Sequence, residues 1–297
     1  MRILHLDSGR EMRGGQWQVL RLIEGLAAEG VESTLLARRD GPLFTAARQR
    51  GCSVAPLSLA RVLLLARGHG LVHAHDSRSH TLAALVPGAR LVVARRVAFG
   101  GVGRWPARLK YDRPAKFIAV SEFARQTLLA RGIPASKIEV VYDGVPLLAP
   151  AQGAAVVAPA HEADPRKGSP LALEAARLAG VPLAFSTDLE QDLRHAAVFV
   201  YITHSEGLGS GALLAMSAGV PVVASKVGGL PEIVRHRETG LLVDNTPQAI
   251  AAAIRELLDD APLARRLGAA ARQTVAERFT VGHMVRRTME VYRQVLS

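Results

Sequence analysis

The sequence predicts two doubly wound α/β domains in tandem. Short β-rich runs alternate with helical patterns along the chain, and the alternation pauses over the Pro/Ala/Gly-rich residues 146–155 and then restarts. A chain of 297 residues with 49% hydrophobic content is also long enough to bury two cores. The division is set at 1–148 and 149–297, with a cleft expected at the carboxyl ends of the strands.

In the first half, strands are predicted over residues 2–6, 32–37, 53–57, 71–75, 91–95, 117–120 and 138–142, each a short apolar run bounded by turn residues. Helical spacing fills 16–28, 43–50 and 122–130. In the second half the strand runs are 155–158, 182–185, 198–201, 221–224 and 240–243. The last segments, 250–259, 262–278 and 281–296, are helical with no strand between them and are assigned to the second domain.

Composition removes several classes of function. The longest apolar stretch, 144–160, is broken by Pro146, Pro150, Gln152 and Pro159 and cannot span a bilayer. The N-terminus turns polar at Asp7, too early for the apolar core of a secretory signal, so a cytoplasmic location is expected. A single cysteine, Cys52, excludes an internal disulfide. Charge is divided unevenly: residues 1–148 hold 22 Lys+Arg against 11 Asp+Glu, and residues 149–297 hold 15 against 15. The first half should therefore face an anionic partner, with Arg95, Arg96, Arg104, Arg108 and Lys110 as its densest cluster. Nucleic acid lacks the stacking aromatics or recognised module it would need; a phosphorylated acceptor or peripheral contact with an anionic membrane fits better.

Ser205-Glu206-Gly207-Leu208-Gly209-Ser210-Gly211 lies between an apolar strand and a helix. Glycines there let backbone N–H groups approach an anion at a helix N-terminus, although a Gly-rich turn is as often plain loop geometry. The residues that follow are Leu213 to Ser225, then Val227-Gly228-Gly229-Leu230-Pro231-Glu232-Ile233-Val234, then Gly240-Leu241-Leu242-Val243. This order closely resembles the C-terminal domain of family 4 retaining glycosyltransferases. Gly14-Gly15, Val120-Ser121-Glu122, Tyr142-Asp143-Gly144-Val145 and Arg166-Lys167-Gly168 extend the resemblance over most of the chain.

The resemblance implies a GT-B fold and transfer of a sugar from a nucleoside diphosphate with retention of configuration, with no metal and no cofactor. It implies Lys167, helped by Arg166, on the diphosphate and Glu206 on the donor-sugar hydroxyls. The amides of Gly207, Leu208, Gly209, Ser210 and Gly211 complete the cradle, with Gly14 and Gly15 as the N-terminal glycine loop. The chemistry agrees, since positive charge and oriented N–H donors must meet charge growing on a departing diphosphate. Departures are also legible. Leu214 stands where the family has a ribose-binding glutamate, 161–165 lacks the usual arginine, and residues 171–198 are fewer than the family norm. They keep open a second reading, a non-catalytic relic that binds a glycan or a protein.

His73 and His75 alternate onto one face of a strand, but their spacing matches no hydrolase metal signature, and no metal site is expected. Asp76 suits a helix cap, and His75 with Asp76 at a strand's carboxyl end equally suits the acceptor side, together with Arg95 and Arg96. No Asp-x-Asp pair occurs.

Overall fold

The structure is a computed structural model that describes residues 1–96, 110–160 and 167–297. These residues form two compact units, Met1–Gly144 with Val281–Ser297, and Val145–Thr280.

The first unit is built on a seven-stranded parallel sheet in the order β3-β2-β1-β4-β5-β6-β7. Its strands are β1 (Arg2–Leu6), β2 (Glu32–Ala37), β3 (Ser53–Pro56), β4 (Leu71–Ala74), β5 (Leu91–Arg95), β6 (Lys116–Ala119) and β7 (Ile138–Val140). Helices cover both faces, so the central strands are buried throughout rather than alternating, with Ile3, Leu4, His5 and Leu6 of β1 all fully buried. The sheet begins in its middle, with β1 between β2 and β4, and its connections part there.

The terminal helix Val281–Leu296 belongs to this first unit, which corrects the expectation that all three terminal helices stay with the second domain. Its buried residues Met284, Val285, Thr288, Met289, Val291 and Tyr292 recur at helical spacing. That stripe packs in one core with Ile3, Leu22, Leu71, Val92 and Ile118. At Gly25 an added Cβ would lie 2.5 Å from Val285 Cγ2, so the helix Gly14–Ala28 meets the terminal helix with almost no side chain between them.

The second unit carries a five-stranded parallel sheet, β12-β11-β10-β8-β9. Its strands are β8 (Ala155–Pro159), β9 (Leu183–Ser186), β10 (Ala196–Tyr201), β11 (Val222–Ser225) and β12 (Leu241–Val243). Helices Ser169–Ala179 and Pro247–Asp259 close one core with Val156, Val198, Val200 and Val223. Here too the first strand lies inside the sheet, and the connections part between β8 and β10. Among the described residues no helix is long and apolar enough to cross a membrane.

Tyr292 is fully buried, and its hydroxyl lies 2.6 Å from His73 Nδ1. Tyr292→Ala should therefore lower the stability of the first unit by about 3 kcal/mol or more. Tyr292→Phe, which loses only the hydroxyl, should cost about 1 kcal/mol. Urea denaturation followed by circular dichroism distinguishes the two.

Candidate functional site

In the second unit the residues expected to handle a diphosphate sugar do converge. The chain leaves β10 at Tyr201 and turns to Glu206, while Lys167 pairs with Thr203 in an isolated antiparallel bridge. Lys167 Nζ donates to Glu206 Oε2 at 2.5 Å, and Tyr201 Oη donates to the same oxygen at 2.8 Å. Glu206 Oε1 accepts from the Gly207 amide at 3.2 Å. The ammonium also sits 5.5 Å from the centre of the Tyr201 ring. Lys167 and Glu206 side chains are only 17% and 16% exposed, so the pair is poorly screened. Burial, then the Glu206 charge, raises the Tyr201 phenol well above its usual range and keeps it a donor.

Backbone packing fixes this turn. Gly209 has φ 105°, in the left-handed region, and an added Cβ would lie 2.6 Å from Leu230 Cδ2. A Cβ at Gly228 would lie 2.0 Å from the Glu206 carbonyl oxygen, so the Gly228-Gly229 turn packs backbone to backbone behind Glu206-Gly207. Leu208 is 2% exposed, which leaves only its backbone for a ligand. Ser210 and Gly211 open the helix Ser210–Ser217, where the first amides have no intrahelical acceptor. Leu214 is buried in that helix. Arg166 lies outside the described residues.

Sequence reasoning missed Tyr201, whose neighbours read simply as strand. It also missed the clamp on the strand end: Ser225 Oγ accepts from the Thr203 amide at 2.9 Å and donates to Asn245 Oδ1 at 2.6 Å, and Asn245 Nδ2 donates to the Thr203 carbonyl at 2.9 Å.

In the first unit the acceptor-side candidates surround the corresponding switch point between β1 and β4. Asp76 caps the helix Ser77–Ala84 through the amides of Arg78 and Ser79 and also accepts from Ser79 Oγ, Ser8 N and Ser8 Oγ. Five donors saturate the carboxylate, so its work is to tie the loop after β1 to that helix. Asp7 accepts from Gly9 N at 2.8 Å and Gln16 Nε2 at 3.2 Å, and burial followed by the Asp76 charge raises its carboxyl above the usual range. Gln16 Oε1 in turn accepts from the Arg13 amide beside Gly14 at the helix start. A Cβ on Gly15 would lie 3.4 Å from Arg96 Cδ.

His75 is buried, its Nε2 3.0 Å from His5 Nδ1. Arg96 pairs with Asp143, with side chains 14% and 9% exposed. Arg95 is buried: it donates to His80 Nδ1 at 2.7 Å and lies 5.1 Å over the Tyr111 ring. Lys110 donates to the Ser77 carbonyl at 2.7 Å, and burial, then Arg95, pulls it down to about 8. The expected basic cluster is therefore not a free surface at Arg95, Arg96 or Lys110, because each has an internal partner; Arg104 and Arg108 lie outside the described residues.

His80 is held neutral at about 3 by burial and by Arg95 and Lys110, with Nδ1 accepting from Arg95 and Nε2 donating to the Lys110 carbonyl. A histidine with a depressed folded pKa binds its proton more readily when unfolded, so stability falls as pH drops below about 6.5 toward 3. His80→Gln should flatten the acid limb of a plot of melting temperature against pH over that window.

The family model "Glycosyltransferase Family 4" matches residues 12–147, and "Glycosyl transferases group 1" matches residues 181–274. Alpha-maltose-1-phosphate synthase of Mycolicibacterium smegmatis is 40% identical over 114 residues, 36% of this chain and 30% of that protein. D-inositol 3-phosphate glycosyltransferase of Thermobispora bispora is 39% identical over 117 residues, 39% of this chain and 27% of that protein. The matched stretches thus span less than a third of these relatives' own length. Among solved structures, HepE of Anabaena in complex with UDP and glucose is 18% identical with a TM-score of 0.87, covering 98% of this chain and 99% of that one. Sucrose-phosphate synthase of Thermosynechococcus elongatus gives 0.77 at 20% identity, over 99% of this chain and 98% of that one. The solved structures share the GT-B fold, and since the two family models together match most of the chain, it belongs to the family 4 glycosyltransferases.

Proposed function

We propose that this chain transfers a sugar from a nucleoside diphosphate donor to a glycan, lipid-linked or phosphorylated acceptor, with retention and without a metal in the reaction. The observation that carries this reading is the convergence of Lys167 and Tyr201 on Glu206 beside the amides of the Gly207–Gly211 turn. The solved complexes of HepE with UDP-glucose support a nucleotide sugar as the donor class. In this reading the diphosphate draws Lys167 from Glu206 and the turn amides stabilise the departing charge. Glu206, still held by Tyr201, orients the sugar. The acceptor proton passes to the leaving phosphate. The acceptor is assigned to the first unit, whose basic excess favours an anionic or membrane-borne molecule.

Leu214 favours the second reading, a non-catalytic glycan- or protein-binding relic, because a buried leucine cannot accept hydrogen bonds from a ribose. Stabilisation of the purified chain by a panel of uridine, guanosine and adenosine diphosphate sugars separates the two. Thermal stabilisation by at least one donor, with sugar transfer in its presence, is expected. No response to any of them at millimolar concentration favours the relic.

Glu206→Gln keeps the side chain's shape and should reduce transfer by about two orders of magnitude or more in a folded protein. Leu214→Glu should tighten nucleoside diphosphate binding, read by calorimetry.

A further inference from the structure

The first unit holds a cluster that the proposed reaction does not use. His5 of β1 and His73 of β4 are register partners on adjacent parallel strands, and His75 lies two residues beyond His73, so all three imidazoles share one face of the sheet. They are 0%, 1% and 4% exposed. One nitrogen from each lies within 4.8 Å of the others. His5 Nε2, His73 Nε2 and His75 Nδ1 have no hydrogen-bond partner although all are buried. An orphaned buried polar atom is costly, and His73 Nε2 is orphaned directly beside the other two imidazoles, its ring centre 4.0 Å from that of His75.

We propose that His5, His73 and His75 form a binding site for one zinc ion that ties β1 to β4. Neutral imidazoles suit zinc, and three of them are a recurring protein ligand set. The ligand atoms are His5 Nδ1, His75 Nε2 and His73 Nε2: the first two share a hydrogen bond at 3.0 Å, which the ion would replace, a few tenths short of the roughly 3.3 Å between two nitrogens on a tetrahedral zinc. His73 is already oriented for ligation: its Nδ1 is engaged by Tyr292 Oη at 2.6 Å, leaving Nε2 free, as a partner on the second ring nitrogen commonly fixes a metal-bound histidine. The nearby Arg96 charge is balanced by Asp143. The ion's role is structural, since it would join two neighbouring strands inside the core of the first unit.

The test uses the 297-residue chain without a histidine tag, produced with zinc in the medium and purified without chelator. Plasma mass spectrometry should find about one zinc per chain. Stripping with a strong chelator should lower the melting temperature by several degrees, and zinc should restore it. Cobalt in place of zinc should give the visible absorption of a tetrahedral nitrogen site. His5→Asn and His73→Asn should each weaken zinc binding at least about tenfold. If the variants do not fold, the reversible shift and the cobalt spectrum of the parent chain decide. A parent chain that carries no zinc and whose melting temperature is unmoved by added zinc or cobalt overturns the proposal. Equal zinc retention by folded variants overturns it too, because the ion then lies elsewhere.

Discussion

A parallel sheet that starts in its middle strand must send its connections in opposite directions, and the gap this leaves at the strand ends is the constraint on which both units depend. In the first unit the gap lies between β1 and β4, in the second between β8 and β10. Polar side chains collect there because the flanking strands are buried on both faces, with His5 and His73 the polar exceptions within them, and only their carboxyl ends open outward. Asp7, His75 and Asp76 stand at one gap, and Lys167, Tyr201 and Glu206 at the other.

The second gap is held by a different balance from the first. Asp76 is saturated by neutral donors and cannot exchange them for a ligand without releasing the loop it anchors. Glu206 shares one oxygen between a cation and a hydroxyl. Taking Lys167 away leaves the carboxylate with the Tyr201 hydroxyl and the Gly207 amide, so the largely buried charge is never abandoned. That matters because an uncompensated buried charge costs several kcal/mol, enough to cancel the gain from binding an anion. Tyr201 also explains Gly211, where a Cβ would lie 3.0 Å from the phenol ring.

Legibility followed locality. Strands β1, β2 and β5 match their predicted spans residue for residue, since each is a compact apolar run bounded by turns. The helix Leu59–Ala66 was missed because its leucines do not form one buried stripe: Val62 is buried while Leu59, Leu63 and Leu64 are exposed. The terminal helix was legible as a helix but not as part of the first unit, because its apolar stripe names no partner. Around the site, Lys167, Glu206 and the glycine turn were readable from contiguous motifs. Tyr201 was not, because its role depends on a hydroxyl reaching back over the turn. The meeting of His5 with His73 and His75 depends on strand register across about seventy residues, which no local pattern encodes.

Charge shows the same limit most sharply. The excess in residues 1–148 is real as a count, and a count treats each guanidinium as free to act on a partner. Arg95 and Arg96 are adjacent in sequence yet take different roles, Arg95 inside against His80 and Tyr111, and Arg96 against Asp143. A buried arginine acts on its own neighbours and projects little field into solvent: burial, and after it Arg95, holds His80 neutral and pulls Lys110 down. With Lys110 pulled down to about 8, part of the positive character of this region is conditional on pH. Any attraction of the first unit for an anionic molecule thus rests on its exposed basic residues, since Arg95 and Arg96 are engaged inside it.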